Sequence, residues 1–427
     1  MKRPGGKSST HDGSMKDPIL HPWMLPSKPP YVQIVSGHGS YLRDSKGKNF
    51  LDFTSALFTA NLGHGNRAII EPMVKALHEV GTFSSDFVYS SRAALAKKLI
   101  QILPDGYGKV SFQSNGTDAV EAAIMIARQV TGKNGIVGQY LSYHGSSSET
   151  FSSADWPSSS HPPNIAGYIY CFPPYHLRCP FCRERKQCDL ECAQSLKDAI
   201  EYSGPERIAA VILEPIMGGL VNELVAEYLR LVEEICRKYE ILLIVDEVLT
   251  GFGRTGKMFC FEHANIKPDI ITLGKALTSG YAPLSATILT KRISDFYENH
   301  SFEFGFTLGG HPVACSAALA TIRYFDAHDV LGKSKHSADY MRKRLEELRD
   351  EHDCIAEVRG EGLLFCLEFR EGAVSARWTK DEALKKRLIV EKGIFEINIL
   401  APPLTANTTE IDSAIEVLDG LFRTQGR

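Results

Sequence analysis

The sequence has 427 residues, of which 43% are hydrophobic and 23% charged, a composition typical of a folded protein with a large core. Its 48 basic and 51 acidic side chains give a formal net charge of −3, so bulk electrostatics do not predict a nucleic-acid partner. No run approaches the roughly 20 apolar residues of a membrane span, and the polar start is unlike a secretion signal. We therefore expect a cytoplasmic protein with reduced cysteines and with no nucleic-acid or membrane partner.

The predicted elements begin after residues 1–18, a polar stretch containing glycine and serine that we expect to be flexible. Alternating apolar positions in residues 39–53 predict a β-hairpin. From about residue 67 to 325, helical and strand patterns alternate, which predicts a mainly parallel sheet covered by helices. Residues 326–427 predict a smaller α+β lobe.

Three predicted strands of the central region are each followed by a charged residue. The pairs are RIAAVIL with Glu214, ILLIV with Asp246, and DIITLG with Lys275. Ligands of open α/β sheets bind outside the carboxyl ends of the strands. Each charged residue alone is also compatible with a solvated loop, but together they predict that two acids and one lysine converge on one crevice.

Residues 241–256, ILLIVDEVLTGFGRTG, are open to three interpretations, and two of them fail. A nucleotide hydrolase holds magnesium at such a strand but needs a phosphate loop on an earlier strand. The nearest match, residues 251–258, follows the acidic strand and has Met258 where a hydroxyl belongs. A dinucleotide site needs its first glycine directly after the strand, and here DEVLT intervenes.

The third interpretation is a pyridoxal-phosphate enzyme, which needs a lysine for a Schiff base and an acid that keeps the pyridine nitrogen protonated. Lys275 and Asp246 meet these two needs. Residues 112–128, FQSNGTDAVEAAIMIAR, predict a helix whose first N–H groups can bind a phosphate, although a plain N-terminal cap explains the same pattern. Tyr143 supplies an aromatic ring after a strand-like segment.

These segments together resemble the class III pyridoxal-phosphate-dependent aminotransferases, of fold type I, over about residues 20–420. The motifs that carry the resemblance, in the family's order, are SNGTDAVEAAI, YHG, EPIMGG, IVDEVLTGFGRTG, PDIITLGKALTSGYAPLSA, FTLGGHPVA, VRGEGL and APPL. The resemblance implies an α/β fold with a large cofactor-binding domain at residues 67–325. It also implies a small α+β lobe from both chain ends, in which residues 19–66 join residues 326–427.

The resemblance also implies the cofactor site. Lys275 is then the Schiff-base lysine, and Asp246 is the partner of the pyridine nitrogen. The other implied cofactor contacts are Gly116 and Thr117 at the phosphate, Tyr143 and Val248 on the two ring faces, Glu214 near the phenolic oxygen, and Thr307 at the phosphate of the neighbouring subunit. The last of these implies a homodimer with shared active sites.

The chain departs from the family where many members hold a substrate carboxylate with an arginine. No arginine lies between Arg387 and Arg423, and the two expected positions are occupied by Glu396 and Ile399. Either another cation such as Lys392 receives the carboxylate, or the main substrate has none beside its amine. A pocket wall with Glu396 predicts that amines, amino alcohols or diamines are better donors than simple α-amino acids.

TSGYAPLSA (278–286) and SALFTANLGHG (55–65) are most similar to the ω-aminotransferases, which act on amines and ω-amino acids. By this similarity Leu57 and Phe58 line the substrate pocket, with Trp23 near its mouth; core packing is the alternative for Leu57. We therefore predict an aminotransferase that moves an amino group from an amine or ω-amino substrate to a keto acid. The alternatives are an aminomutase, racemase or decarboxylase on the same scaffold and, more distantly, a non-catalytic cofactor-binding homologue.

One cysteine-rich stretch, CPFCRERKQCDLEC, is not explained by this function. It contains Cys179, Cys182, Cys188 and Cys192. This number of thiols is the ligand count of structural zinc, but the second pair is spaced i, i+4 rather than as a second knuckle. The spacing favours reduced thiols over zinc, and we expect no metal.

Overall fold

The structure is a computed structural model that describes residues 19–23, 32–84, 87–156, 165–182, 188–222 and 224–425. The predicted flexible segment at residues 1–18 lies outside these ranges. The strands are β1 (Ile34–His38), β2 (Tyr41–Asp44), β3 (Asn49–Asp52), β4 (Tyr107–Gln113), β5 (Gly135–Gln139), β6 (Tyr168–Cys171), β7 (Ile208–Leu213), β8 (Leu242–Asp246), β9 (Ile270–Leu273), β10 (Ser285–Thr290), β11 (Ile355–Glu361), β12 (Leu364–Phe369), β13 (Leu388–Ile389), β14 (Glu391–Lys392) and β15 (Ile397–Leu400).

Helical elements cover the strands and connect them. They are α1 (Ser55–Phe58), α2 (Arg67–Glu79), α3 (Ser90–Ile102), α4 (Gly116–Thr131), α5 (Ser148–Ser152), α6 (Glu191–Ser203), α7 (Ala226–Lys238), α8 (Lys291–Phe296), α9 (Pro312–His328), α10 (Val330–Glu351), α11 (Ala376–Lys385) and α12 (Thr408–Gln425). Among the described residues, none of these helices is both long and apolar enough to cross a membrane.

A seven-stranded sheet in the order β4-β10-β9-β8-β7-β5-β6 forms the centre of the fold. Strand β10 is antiparallel to both of its neighbours, and the other adjacent pairs are parallel. Every residue of β7, β8 and β9 is buried, as expected of parallel strands that helices cover on both faces. The predicted mainly parallel α/β sheet is therefore confirmed, and it brings the carboxyl ends of β7, β8 and β9 to one edge.

Two smaller sheets flank this centre. Strands β2 and β3 form the predicted antiparallel hairpin, and β13 extends that sheet by pairing in parallel with β3. The register sets Leu388 opposite Leu51, so a strand from the last quarter of the chain lies beside a strand from its first eighth. The third sheet, β11-β12-β15-β14, is antiparallel throughout.

Helix α7 illustrates how the apolar pattern specifies the packing. Its buried residues include Leu229, Val232 and Cys236, which follow the helical i, i+3, i+4 spacing and contact the main core. Sequence periodicity predicts this helix at Val225–Tyr239, and in the structure the helix is one residue shorter at each end.

Candidate active site

The three charged residues predicted at strand ends do converge. Glu214 directly follows β7, Asp246 ends β8, and Lys275 begins a 3-10 turn after β9. The charges of Glu214 and Asp246 both act on the ammonium of Lys275. The sheet therefore collects one lysine and two carboxylates in a single crevice at the carboxyl edge.

Asp246 is 5% exposed and is held by three hydrogen-bond donors. Its Oδ1 accepts from the Thr272 hydroxyl at 2.9 Å and from the Val248 backbone N–H at 3.0 Å. Its Oδ2 lies 2.8 Å from Nδ1 of His144, which is 3% exposed. A carboxylate fixed on both oxygens can present a stationary negative charge to a ligand in the crevice.

His144 is a site residue that the sequence interpretation did not assign. Its Nε2 is buried and has no hydrogen-bond partner among the described residues. A buried polar atom without a partner is costly, so such an atom beside a crevice points to a ligand or to water. The signal was present in the YHG motif, where His144 directly follows the assigned Tyr143.

Glu214 is fixed by backbone rather than by side chains. Its Oε1 accepts from the Tyr143 N–H and its Oε2 from the Gly218 N–H, each at 2.8 Å. Burial raises the pKa of the Glu214 carboxyl and the charge of Asp246 raises it further, while His144 and the two N–H groups oppose this shift. Glu214 therefore couples the position of Tyr143 to the acidic side of the crevice.

Lys275 stands at a strained backbone position. Its φ is +41°, a left-handed conformation that a residue with a Cβ rarely adopts. Burial lowers the pKa of the Lys275 ammonium, and the charges of Glu214 and Asp246 act in the opposite direction. Its Nζ lies 5.6 Å from the centre of the Phe58 ring. A lysine with a lowered pKa is neutral more often and is therefore a better nucleophile and base.

The predicted pocket residues Leu57 and Phe58 lie on α1, whose four residues all have positive φ, between +48° and +66°. This left-handed turn costs roughly 1–2 kcal/mol per residue and needs compensating contacts. The Ala56 N–H donates to Asp52 Oδ2 at 2.8 Å, and the Ser55 hydroxyl donates to the Ala401 carbonyl at 2.6 Å. The turn exposes 59% of Leu57 and buries Phe58 towards Lys275, so only Phe58 is core-packed.

Helix α4 directs its N-terminus at the crevice. Gly116 and Thr117 are its first two residues, so their N–H groups lack intrahelical acceptors. A Cβ on Gly116 would lie 2.8 Å from Val248 Cγ1, and a Cβ on Gly274 would lie 3.2 Å from the same methyl group. The two glycines therefore permit a close approach of α4, the Val248 side chain and the segment that carries Lys275.

Aromatic rings surround Tyr143 on the open side of the crevice. The Tyr143 ring centre lies 5.2 Å from that of Trp156 and 6.1 Å from that of Trp23, in edge-to-face geometry. Trp23 is 63% exposed, as expected near a pocket mouth. Trp156 was not predicted, and it packs on Gly219, where a Cβ would lie 2.5 Å from the indole ring and 2.9 Å from Ile394 Cδ1. These contacts make an aromatic and aliphatic wall.

Glu396 requires a correction, because the structure does not use it as an acidic pocket wall. Its carboxylate accepts from the Ala376 N–H at 2.6 Å and so caps the first turn of α11, an orientation that follows a positive φ of +54° at Phe395. Ile399, at the other expected arginine position, is 1% exposed in an apolar cluster. The wall on this side is therefore apolar.

Two cations that lie near this wall, Lys392 and Arg178, bind other groups of the protein. Lys392 Nζ donates to the backbone carbonyls of Gly393 and Phe395, each at 3.1 Å. Arg178 forms an ion pair with the fully buried Glu368 at 3.0 Å and lies over the Phe395 ring. Both side chains are therefore engaged by other groups of the protein and are not placed to receive a substrate carboxylate beside the 393–396 segment.

Thr307, the remaining predicted cofactor contact, lies in an exposed turn before α9. It lines an open groove of about 690 Å³ whose other residues include Phe112, Phe304 and Phe306. Thr307 is thus placed beside an open groove of its own chain that is partly lined by aromatic rings.

The chain is similar to known proteins in both sequence and fold. The sequence profile described as "Aminotransferase class-III" matches residues 25–422. The "Probable aminotransferase Rv3329" of Mycobacterium tuberculosis is 32% identical over 92% of this chain and 90% of its own. An S-selective transaminase from Bacillus megaterium superposes with a TM-score of 0.91 at 27% identity, covering 96% of both chains. An amine transaminase from an uncultivated Pseudomonas species, solved in its PLP-bound form, gives 0.90 at 30% identity, covering 96% of this chain and 99% of its own.

Proposed function

Because the chain belongs to the class III aminotransferases, enzymes of fold type I that use pyridoxal phosphate, we propose that it transfers the amino group of an amine without a neighbouring carboxylate to a keto acid. The observation that carries the proposal is the apolar wall of Trp156, Gly219 and Ile394 beside the crevice.

The residues of the crevice fit this cofactor. The N-terminus of α4 offers the N–H groups of Gly116 and Thr117 to a phosphate, which is the ligand a helix N-terminus favours. Val248 and Tyr143 offer an aliphatic and an aromatic side chain for the two faces of a flat ring. The Cβ atoms absent at Gly116 and Gly274 would crowd Val248, so this floor has no room for larger residues.

When bound, pyridoxal phosphate supplies an aldehyde that accepts the amino group and a ring that withdraws electrons from the substrate carbon. Asp246, fixed by Thr272 and His144, would hold a proton on the pyridine nitrogen. Lys275 Nζ, whose pKa is lowered by burial, would attach the resting cofactor and then carry the proton to and from the substrate carbon. Glu214 would orient Tyr143 through the backbone N–H.

The apolar wall predicts the donor preference. A carboxylate buried there without a partner costs at least about 2 kcal/mol, or roughly 30-fold in affinity. We therefore expect 2-phenylethylamine to exceed phenylalanine by roughly this factor in kcat/KM. The two donors differ only in the carboxylate, and loss of cofactor absorbance in the half-reaction measures both.

Two variants of one position provide the matched comparison. Ile394→Arg places a guanidinium on the wall and should shift the ratio towards phenylalanine, whereas Ile394→Met should leave it unchanged. If the unaltered enzyme prefers phenylalanine, another cation receives the carboxylate and the proposed donor class is wrong. The same half-reactions test the racemase, mutase and decarboxylase alternatives, because these enzymes return the cofactor without releasing a keto product.

We further propose that the active unit is a homodimer in which Thr307 of one subunit completes the site of the other. The support is the open groove beside Thr307, because aromatic side chains that line a surface groove favour contact with a partner chain. These side chains are Phe112, Phe304 and Phe306. A cytoplasmic location is proposed on a separate ground. All ten cysteines lie in the described ranges and are free thiols, as expected of a reducing compartment.

Subunit mixing tests the shared site. Thr307→Asp should lower cofactor affinity, because it sets a negative charge against the phosphate, and Lys275→Ala should be inactive for a different reason. When the two inactive variants are unfolded and refolded together, mixed dimers should contain one intact site each and regain activity. A mixture that stays inactive, although light scattering shows mixed dimers, would contradict a shared site.

A further inference from the structure

Four thiols that the aminotransferase chemistry does not use follow β6 in the sequence, and the last of them lies in the first turn of α6. We call them the cysteine cluster: Cys179, Cys182, Cys188 and Cys192. All four belong to the described ranges, and three are buried, at 4%, 2% and 1% exposure for Cys179, Cys182 and Cys192. Cys188 is exposed and is the side from which an ion can enter.

We propose that the cysteine cluster binds one structural zinc ion. The number and type of ligands match a closed zinc site, which takes four thiolates. The sulfurs of Cys182 and Cys188 lie 3.8 Å apart. Zinc–sulfur bonds of about 2.3 Å in a tetrahedron give a sulfur–sulfur edge of about 3.8 Å, so this pair is at ligand spacing.

The local backbone also favours thiolates. Cys179 ends the 3-10 turn His176–Arg178, and the C-x-x-C spacing brings Cys182 back beside that turn. Cys192 is the second residue of α6, where the helix dipole stabilises a negative sulfur. His176 Nδ1 lies 3.9 Å from Cys182 Sγ and can support a bound thiolate from outside the ligand set.

No three of the sulfurs lie within 4.8 Å of one another among the described residues, so binding would close the cluster by side-chain rotation.

A zinc ion here would brace one side of the substrate wall. Tyr175 and Arg178, on the turn that leads into the cluster, both contact the buried carboxylate of Glu368 in β12, at 2.5 and 3.1 Å. Arg178 also lies over the ring of Phe395, next to Ile394 of the wall, at 4.3 Å from the ring centre. By holding the turn that carries Tyr175 and Arg178, the zinc ion would therefore also hold β12 and the 393–396 segment, because this turn contacts both.

Metal analysis of the holoenzyme tests the proposal. Protein expressed with added zinc and purified without a metal-affinity tag should contain about one zinc per chain, as one four-thiolate site requires. Cys182→Ser should lose most of the zinc. Cys354→Ser removes a free thiol that directly precedes β11 and lies outside the cluster, so this variant should keep the zinc. The Cys182→Ser protein should also melt at a lower temperature.

A second measurement does not depend on the folding of a variant. Titration of the unaltered holoenzyme with an organic mercurial should release zinc in step with thiol modification, as read by a chromogenic chelator. Replacement by cobalt should give the intense visible bands of a tetrahedral thiolate site. A zinc content near zero after zinc-supplemented expression, bound iron instead of zinc, or a Cys182–Cys188 disulfide by mass spectrometry would each overturn the proposal.

Discussion

Lys275→Ala is expected to lower turnover by roughly 10⁴-fold or more, the upper range for removing a positioned proton-transfer group. The variant loses both the nitrogen that attaches the cofactor and the base next to the reacting carbon. The fold should persist, because the neighbouring apolar residues Ala276 and Leu277 remain packed in the core. Steady-state turnover, circular dichroism and cofactor content measure the three expectations separately.

The exposed Lys257 supplies the control, since its ammonium contacts only the carbonyl of Glu262 in the described hydrogen bonds. Lys257→Ala should keep near-normal turnover. Added methylamine should restore part of the activity of Lys275→Ala, because a small free amine can replace the missing base. If Lys275→Ala turns over within tenfold of the unaltered enzyme, the proton carrier is another group.

Asp246→Asn is expected to lower turnover by roughly 100-fold or more. A hydrogen bond to a charged group is worth about 1.5–3 kcal/mol, and each 1.4 kcal/mol is a factor of ten. The amide keeps the size of the carboxylate and can still accept from Thr272 and Val248, so the fold should be retained. It no longer supplies the negative charge that holds a proton on the pyridine nitrogen.

Asp269→Asn is the matched control, because Asp269 also flanks a central strand and bonds the Leu243 N–H at 3.0 Å. It faces Arg292 rather than the crevice, at 2.9 Å. This variant should lose some stability and little turnover. Equal turnover in the Asp246→Asn and unaltered enzymes would show that Asp246 has a structural role only.

The sheet and its charged strand ends could be predicted because they depend on local pattern. Largely apolar runs specify the buried strands β7, β8 and β9, and the first charged residue at the end of each run lies at the same edge of the sheet. The hairpin of β2 and β3 is likewise specified by alternation and its turn. These features need no knowledge of distant contacts.

The rest depends on contacts between distant segments. Trp156 reaches Tyr143 only because Gly219 leaves space under its ring, and no spacing in the sequence links the three. Glu396 was placed in the pocket by its position before the Pro-Pro-Leu motif, but the left-handed Phe395 turns the next side chain to α11. The left-handed α1 was equally hidden, since residues such as Leu57 and Phe58 do not favour positive φ.

Borohydride reduction of the holoenzyme, followed by peptide mass spectrometry, tests the central claim most directly. Reduction fixes the cofactor irreversibly to the lysine that holds it. We predict that the cofactor mass lies on the peptide with Lys275, that no other lysine carries it in comparable amount, and that the Lys257→Ala protein gives the same result. Labelling of a different lysine, or no labelling of a yellow, active holoenzyme, would contradict the assignment of this crevice as the active site.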